Sequence, residues 1–145
     1  MNEVQEKDVV PRLLAVLPGI ANQWDEHTEW WGAEEPGAYN NTGEIARYLV
    51  QCLGNDNVQE FPAVFAAVED VLGTGTPQAK NLIVVGLLES LQNIASHTPE
   101  GYSDFEPWLG PQAAQAWKDL ERMWEGKSSL MDVVRSEADQ HEPDH

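Results

Sequence analysis

Few residues of this 145-residue chain have the types and spacing that chemistry requires. His-Glu-x-x-His, which sets two zinc ligands one turn apart, does not occur. Gly73-Thr74-Gly75-Thr76 lacks the Lys-Ser/Thr pair of a phosphate-binding loop, so that run reads as an inter-helix turn. Di-iron bundles need two inward Glu-x-x-His motifs, whereas the sole one here, Glu142 to His145, is interrupted by Pro143 close to the C-terminus. Cys52 is the only cysteine, which excludes an internal disulfide and any site built from several thiolates. A nucleophilic Cys52 would need a histidine and a positive field to lower its pKa. It falls instead on an apolar helical stripe beside Leu49 and Leu53, as a packed thiol would. His27, between Trp24 and Trp31 on an inward stripe, is expected to be a hydrogen-bonded structural imidazole, and His97 to sit near a helix C-terminus, where a cation favours the dipole. Asp25, Glu26 and Glu29 would work as acid and base only with burial or a close like charge, and an exposed helix face supplies neither. The chain is therefore read as a non-enzyme without cofactor or metal site.

What the sequence does concentrate is large aromatics beside acids. It has six tryptophans, and two segments gather them with carboxylates: Asp25 to Glu35, which holds Trp30 and Trp31, and Tyr102 to Trp108. Trp30 falls off the inward stripe. Exposed tryptophan among carboxylates has the composition of a binding patch, because aromatic anchors dominate interface energetics and charges steer a complementary partner. The competing expectation is that Trp30 and Trp108 only cover the edge of the core. The candidate partner-binding residues are Asp25, Glu26, Glu29, Trp30, Glu34, Glu35, Asp104, Glu106 and Trp108.

Charge points the same way. With 25 acidic and 8 basic side chains the formal net charge is -17. Nucleic acid and anionic membranes are poor partners, since both require clustered Lys and Arg. A basic protein partner would be steered towards such a surface, although the same charge also serves solubility. A nucleic-acid mimic that fills the cleft of a DNA-binding protein is compatible with this acidity. So is an enzyme that gathers carboxylates around a metal from separate helices.

The elements that must position these residues read as helices. The length suits one domain of roughly 100–200 residues. No apolar run approaches the roughly 18 residues of a membrane span, and the polar, acidic start is unlike a signal peptide, so a cytoplasmic protein is expected. Val9, Val10, Leu13, Leu14 and Leu17 form the stripe of a first helix broken by Pro18-Gly19; Ile20, Trp24, His27 and Trp31 form that of a second. Gly32 to Thr42 reads as a loop, after which Thr42 caps a third helix with Glu44 in its first turn and Ile45, Tyr48, Leu49, Cys52 and Leu53 inward. Asn57 and Glu60 have capping-box spacing ahead of a fourth helix, which Pro62 would delay. Thr76-Pro77 starts a fifth that runs to about Ser96, whose stretch Leu82 to Leu88 is apolar on all sides and belongs at the centre of the fold. Gly110-Pro111 opens a sixth, with Ala113, Ala116, Trp117, Leu120, Met123 and Trp124 on one face, and Ser129 begins a short last one. The expected fold is an all-α single-domain helical bundle, or short helical-hairpin array, of six to seven helices over residues 1–136, with a disordered tail over 137–145.

Thr42-Gly43-Glu44-Ile45-Ala46-Arg47-Tyr48-Leu49, Phe65-Ala66-Ala67-Val68-Glu69, Asn81 to Glu89, and Leu109-Gly110-Pro111 with Trp117, Leu120 and Trp124 resemble a family of small uncharacterised bacterial all-helical proteins, over roughly Thr42 to Gly126. In size and acidity such proteins are similar to the immunity proteins encoded beside polymorphic toxins. The resemblance implies a non-enzymatic immunity protein that occludes a cognate, relatively basic toxin domain. The shared positions are core and cap, so it implies no binding residue.

Overall fold

A computed structural model describes residues 3–34, 36–99 and 101–123. Glu35, Trp124, the helix expected from Ser129 and the tail from residue 137 lie outside the described residues. The fold is all-α. Helices α1 (Glu6–Ala15), α2 (Ala21–Trp31), α3 (Ala38–Gly54), α4 (Phe61–Thr74), α5 (Pro77–Asn81), α6 (Glu89–Ala95) and α7 (residues 111–123) pack around one core, with 3-10 turns at Pro18–Ile20 and Ser103–Trp108. The N-terminal strand of chain is pinned at Val4, whose N–H donates to the Thr74 carbonyl and whose carbonyl accepts from Thr76 N.

Local chemistry accounts for most boundaries. Asp8 reaches back to the Gln5 N–H at 3.2 Å and closes the start of α1. Gly32, at φ +61°, ends α2 in a backbone region that other residues enter only at a cost. Thr76 Oγ1 accepts from Ala79 N at 3.1 Å, with Pro77 in the first turn of α5. Pro62 likewise occupies the first turn of α4 and delays its start to Phe61.

Two expected caps are not caps. Helix α3 begins at Ala38, so Thr42 lies within it, fully buried, its hydroxyl donating to the carbonyls of Ala38 and Tyr39 at 3.1 Å each. The loop expected from Gly32 to Thr42 is correspondingly shorter: of the turn formers there, Asn40 donates its side-chain amide to the Pro36 carbonyl, Asn41 bonds to His27, and Thr42 is buried, all within the helix. Asn57 and Glu60 form no capping box; the Glu60 carboxylate turns to the Gly19 N–H (2.9 Å) and accepts from the Tyr48 hydroxyl.

Helix α5 passes without a break into a π-helix, Leu82–Leu88, and then into α6. Leu82, Ile83, Gly86, Leu87 and Leu88 are buried at the centre of the fold, as expected, but Val85 is 40% exposed, so the segment has one outer face. Gly86 lies against α3: a Cβ there would sit 2.4 Å from Thr42 Oγ1.

The second half of the core is aromatic. Phe105 stacks on Phe61 at 5.8 Å, and Trp117, fully buried, packs against Phe105 and Tyr102. Met123, expected on the inward stripe of α7, is 43% exposed, since the helix has cleared the core by that turn. Glu69, on α4, caps α7 from a distance: its carboxylate accepts from Gln112 N (2.8 Å) and Ala113 N (3.0 Å), where the helix dipole is positive. Glu69→Ala should lower stability by about 1–2 kcal/mol, which urea denaturation would read as a lower midpoint at unchanged slope.

Candidate functional site

A groove of about 620 Å³ opens between α2, the start of α3 and α6. One wall is α2, through Gln23, Glu26, His27, Trp30 and Trp31. These positions recur at 3 and 4 because they share one helical face. Tyr39, Asn40, Gly43, Glu44 and Arg47 form the floor, and Ser90, Asn93 and Ile94 the far side. A smaller depression of about 160 Å³ shares Ser90 and Asn93 and extends the concave surface to Val85 and Glu89.

Glu44 is the centre of the floor. Because α3 begins at Ala38, Glu44 lies beyond the first turn in which the sequence places it, and it is buried beneath α2. Its carboxylate accepts from Gln23 Nε2, faces His27 Nδ1 at 3.6 Å and pairs with Arg47 at 3.4 Å. The other ring nitrogen of His27 is 2.9 Å from Asn41 Oδ1. The imidazole packs against Trp24 and Trp31, with ring centroids 5.1 and 6.5 Å away. Both nitrogens thus face side chains of α3, Nε2 at hydrogen-bond distance and Nδ1 at a longer ion-pair distance. Ser90, the nearby hydroxyl, donates to the Gly86 carbonyl at 2.8 Å. The arrangement has the parts of a nucleophile–base pair but not their connections, and what it does is hold α2 against α3. That matters because α2 has no fully buried residue of its own.

The rim differs in character. Trp30 is 80% exposed, touching Trp31 edge-on with centroids 5.3 Å apart and ring planes at 80°. Tyr39 is 44% exposed, its hydroxyl accepting from Asn81 Nδ2 at 2.7 Å. With Val85, these are three of the four strongly exposed large hydrophobic side chains among the described residues. The sequence contains no Lys or Arg from residue 13 to 46 or from 81 to 117. Among the described residues, Arg47 is the one Lys or Arg in the groove lining, and Glu44 already engages it.

Of the candidate residues, the structure brings Glu26 and Trp30 onto this groove. Asp25, Glu29 and Glu34 are exposed on or just beyond α2 but do not line it. Asp104 and Glu106 are exposed on the 3-10 turn before α7, also outside the lining. Trp108 is only partly exposed and packs edge-on to Phe61 at 5.4 Å, so it covers the edge of the core and is no free anchor. Gln23, Tyr39, Glu44, Arg47, Ser90 and Asn93 were not anticipated. The available signal was a second stripe on α2, Gln23, Glu26, His27 and Trp30, beside the apolar one.

Cys52 is buried, as expected. Burial pushes its thiol pKa up, a hydrogen bond with the Tyr48 hydroxyl opposes this in part, and the Glu60 charge adds a smaller rise; burial likewise raises Tyr48, with its hydrogen bond to Glu60 adding to the effect. The thiolate is therefore disfavoured in the folded state near neutral pH. Native protein should react with a thiol reagent at pH 8 on the order of a hundredfold more slowly than urea-unfolded chain, because reaction needs local opening; equal rates would place Cys52 at the surface. Among the described residues, no three His, Cys, Asp or Glu side chains converge as a metal site, and no helix is long and apolar enough to cross a membrane.

No curated protein and no solved structure matches this chain. The pattern of DUF7674, a domain of unknown function, matches residues 10–125. That span extends the resemblance of Thr42 to Gly126 back through α2 and takes in every residue of the groove. The chain belongs to the DUF7674 family.

Proposed function

We propose that the protein is a non-enzymatic binding protein that docks a relatively basic protein partner on the α2–α3–α6 groove, and that the partner is a toxin domain silenced by occlusion, which makes this chain an immunity protein. One observation carries the reading: Trp30, Tyr39 and Val85 are exposed along one concave surface built from segments without Lys or Arg, apart from Arg47. Large exposed aromatics in a concavity supply anchors, and uncompensated carboxylates around them favour a cationic counterpart. An interface of about 1,600 Å² in total would suffice. The His27 ring, turned towards Asn41 and Glu44 of α3, and the Ser90 hydroxyl, bonded to the Gly86 carbonyl, argue for a scaffold over a reaction centre. A nucleic-acid mimic would need carboxylates in a phosphate-like row, whereas here Glu26 and Glu44 alternate with aromatic rings.

The test is co-expression with a toxin-like domain encoded beside the gene, reading both cell survival and co-purification. The chain should protect and co-purify. Trp30→Ala with Tyr39→Ala should weaken the complex by roughly thirtyfold or more, the scale of losing a hot spot. Changing Glu26, Glu29 and Glu34 to Gln should slow association and flatten its salt dependence. Full protection by the double aromatic variant would move the interface off this groove.

A further inference from the structure

We infer that Glu26 and Trp30 form a receptor for an arginine side chain of the partner, the guanidinium stacking on the indole while pairing with the carboxylate; this rests on the docking reading above and names the group recognised. The two residues are one turn apart on α2, at the i, i+4 spacing that makes side chains neighbours, and both line the groove. Of the two carboxylates in the lining, Glu44 is saturated by Gln23, His27 and Arg47. Glu26 is exposed and, among the described residues, makes no hydrogen bond or ion pair. Trp30 is 80% exposed, and its ring meets Trp31 only edge-on. An open indole beside an uncommitted carboxylate, in a stretch of chain without a cation of its own, is complementary to an organic cation. Arginine fits it better than lysine, since a guanidinium is weakly hydrated, stacks flat on an aromatic ring and can pair with a carboxylate through two N–H groups at once. The groove already accommodates one such group, Arg47 against Glu44.

The experiment titrates the full ¹⁵N-labelled chain with N-acetyl-arginine amide, N-acetyl-lysine amide and N-acetyl-citrulline amide, following the Trp30 indole N–H, which is assigned by its loss in Trp30→Phe. The arginine amide should shift that resonance saturably, the lysine amide should bind about two- to fivefold more weakly, and the uncharged citrulline amide should leave it in place. Glu26→Gln should weaken the arginine amide by about two- to fivefold while the other indole signals stay put, which shows an intact fold. An unmoved Trp30 signal, or equal shifts with arginine and citrulline, would overturn the inference. The two readings fail separately. Loss of protection in Trp30→Ala without arginine-amide binding would sink the arginine receptor and leave the docking groove. Arginine-amide binding at Trp30 with protection unaffected by Trp30→Ala would sink the docking groove and, with it, a partner arginine as the occupant.

Discussion

Replacing Gly86 by alanine should destabilise the protein by about 1–3 kcal/mol, although helix propensity alone would have it stabilise by about 1 kcal/mol. Space sets the sign. The new Cβ would lie 2.4 Å from Thr42 Oγ1, 3.0 Å from Leu82 Cδ1 and 3.3 Å from Thr42 Cβ. Thr42 has little room to yield: it is fully buried, β-branched, and its hydroxyl is tied to two carbonyls of its own helix. Relief must come from parting α3 from the π segment, which loosens Ile45, Leu49, Leu82 and Ile83 together, all of them fully buried. Chemical denaturation would read the loss, and a double-mutant cycle would locate it. Thr42→Ala alone removes a satisfied buried hydroxyl and a methyl group, yet the pair Gly86→Ala with Thr42→Ala should cost less than the sum of the two by 0.5 kcal/mol or more, in the range of coupled neighbours. Strict additivity would mean that the two helices do not meet at this point.

The same contact shows what the sequence could and could not disclose. The long run from Thr76-Pro77 was readable because a cap, a first-turn proline and the lack of a later breaker all agree. Its widening into a π-helix was not, since the apolar stretch Leu82 to Leu88 has the same composition in either geometry; the one trace is Gly86, whose reason lies on another helix. The start of α3 was hidden because Asn40, Asn41 and Thr42 prefer turns when alone, whereas in the fold Thr42 is buried against Gly86 and Asn41 bonds to His27 of α2. Trp30 was legible as the tryptophan off the stripe. Trp108 was not separable from it, because its contact with Phe61 joins residues far apart in the chain.

Acidity was legible as a total and illegible as a place. Most of the acids around Asp25 to Glu34 are exposed and carry only charge. The carboxylate that organises the groove, Glu44, has no unusual neighbours in sequence, and its role arises only when α2 lies over it. Glu26, two residues before Thr28 in a crowded acidic run, is distinguished from Asp25 and Glu29 only by the face of α2 it occupies.

Glu44→Ala should consequently release α2 while leaving the rest of the fold in place. None of the α2 residues is fully buried, so its docking rests on the partly buried Trp24 and Trp31 and on polar contacts. Of these, Glu44 holds Gln23 and His27, and Asn41 holds His27. Hydrogen bonds to a charged group contribute about 1.5–3 kcal/mol each when buried. Losing Glu44 removes one short bond and one longer charge contact and leaves the Gln23 amide unpaired, with His27 held only by Asn41, so about 3 kcal/mol is the expected loss to local docking. That is on the order of a hundredfold in the opening equilibrium of α2. Native-state hydrogen exchange should show α2 amides losing protection by that factor, with amides of α4 and of Leu82–Leu88 within about threefold of the parent protein. Glu44→Gln keeps an acceptor for Gln23 and should lose markedly less. Binding should follow the helix, since Glu26 and Trp30 are both on α2: the alanine variant should weaken any groove-bound partner even though Glu44 itself is covered. Uniform loss of protection across the chain would show instead that Glu44 supports the whole fold, and that α2 has no separate docking equilibrium to release.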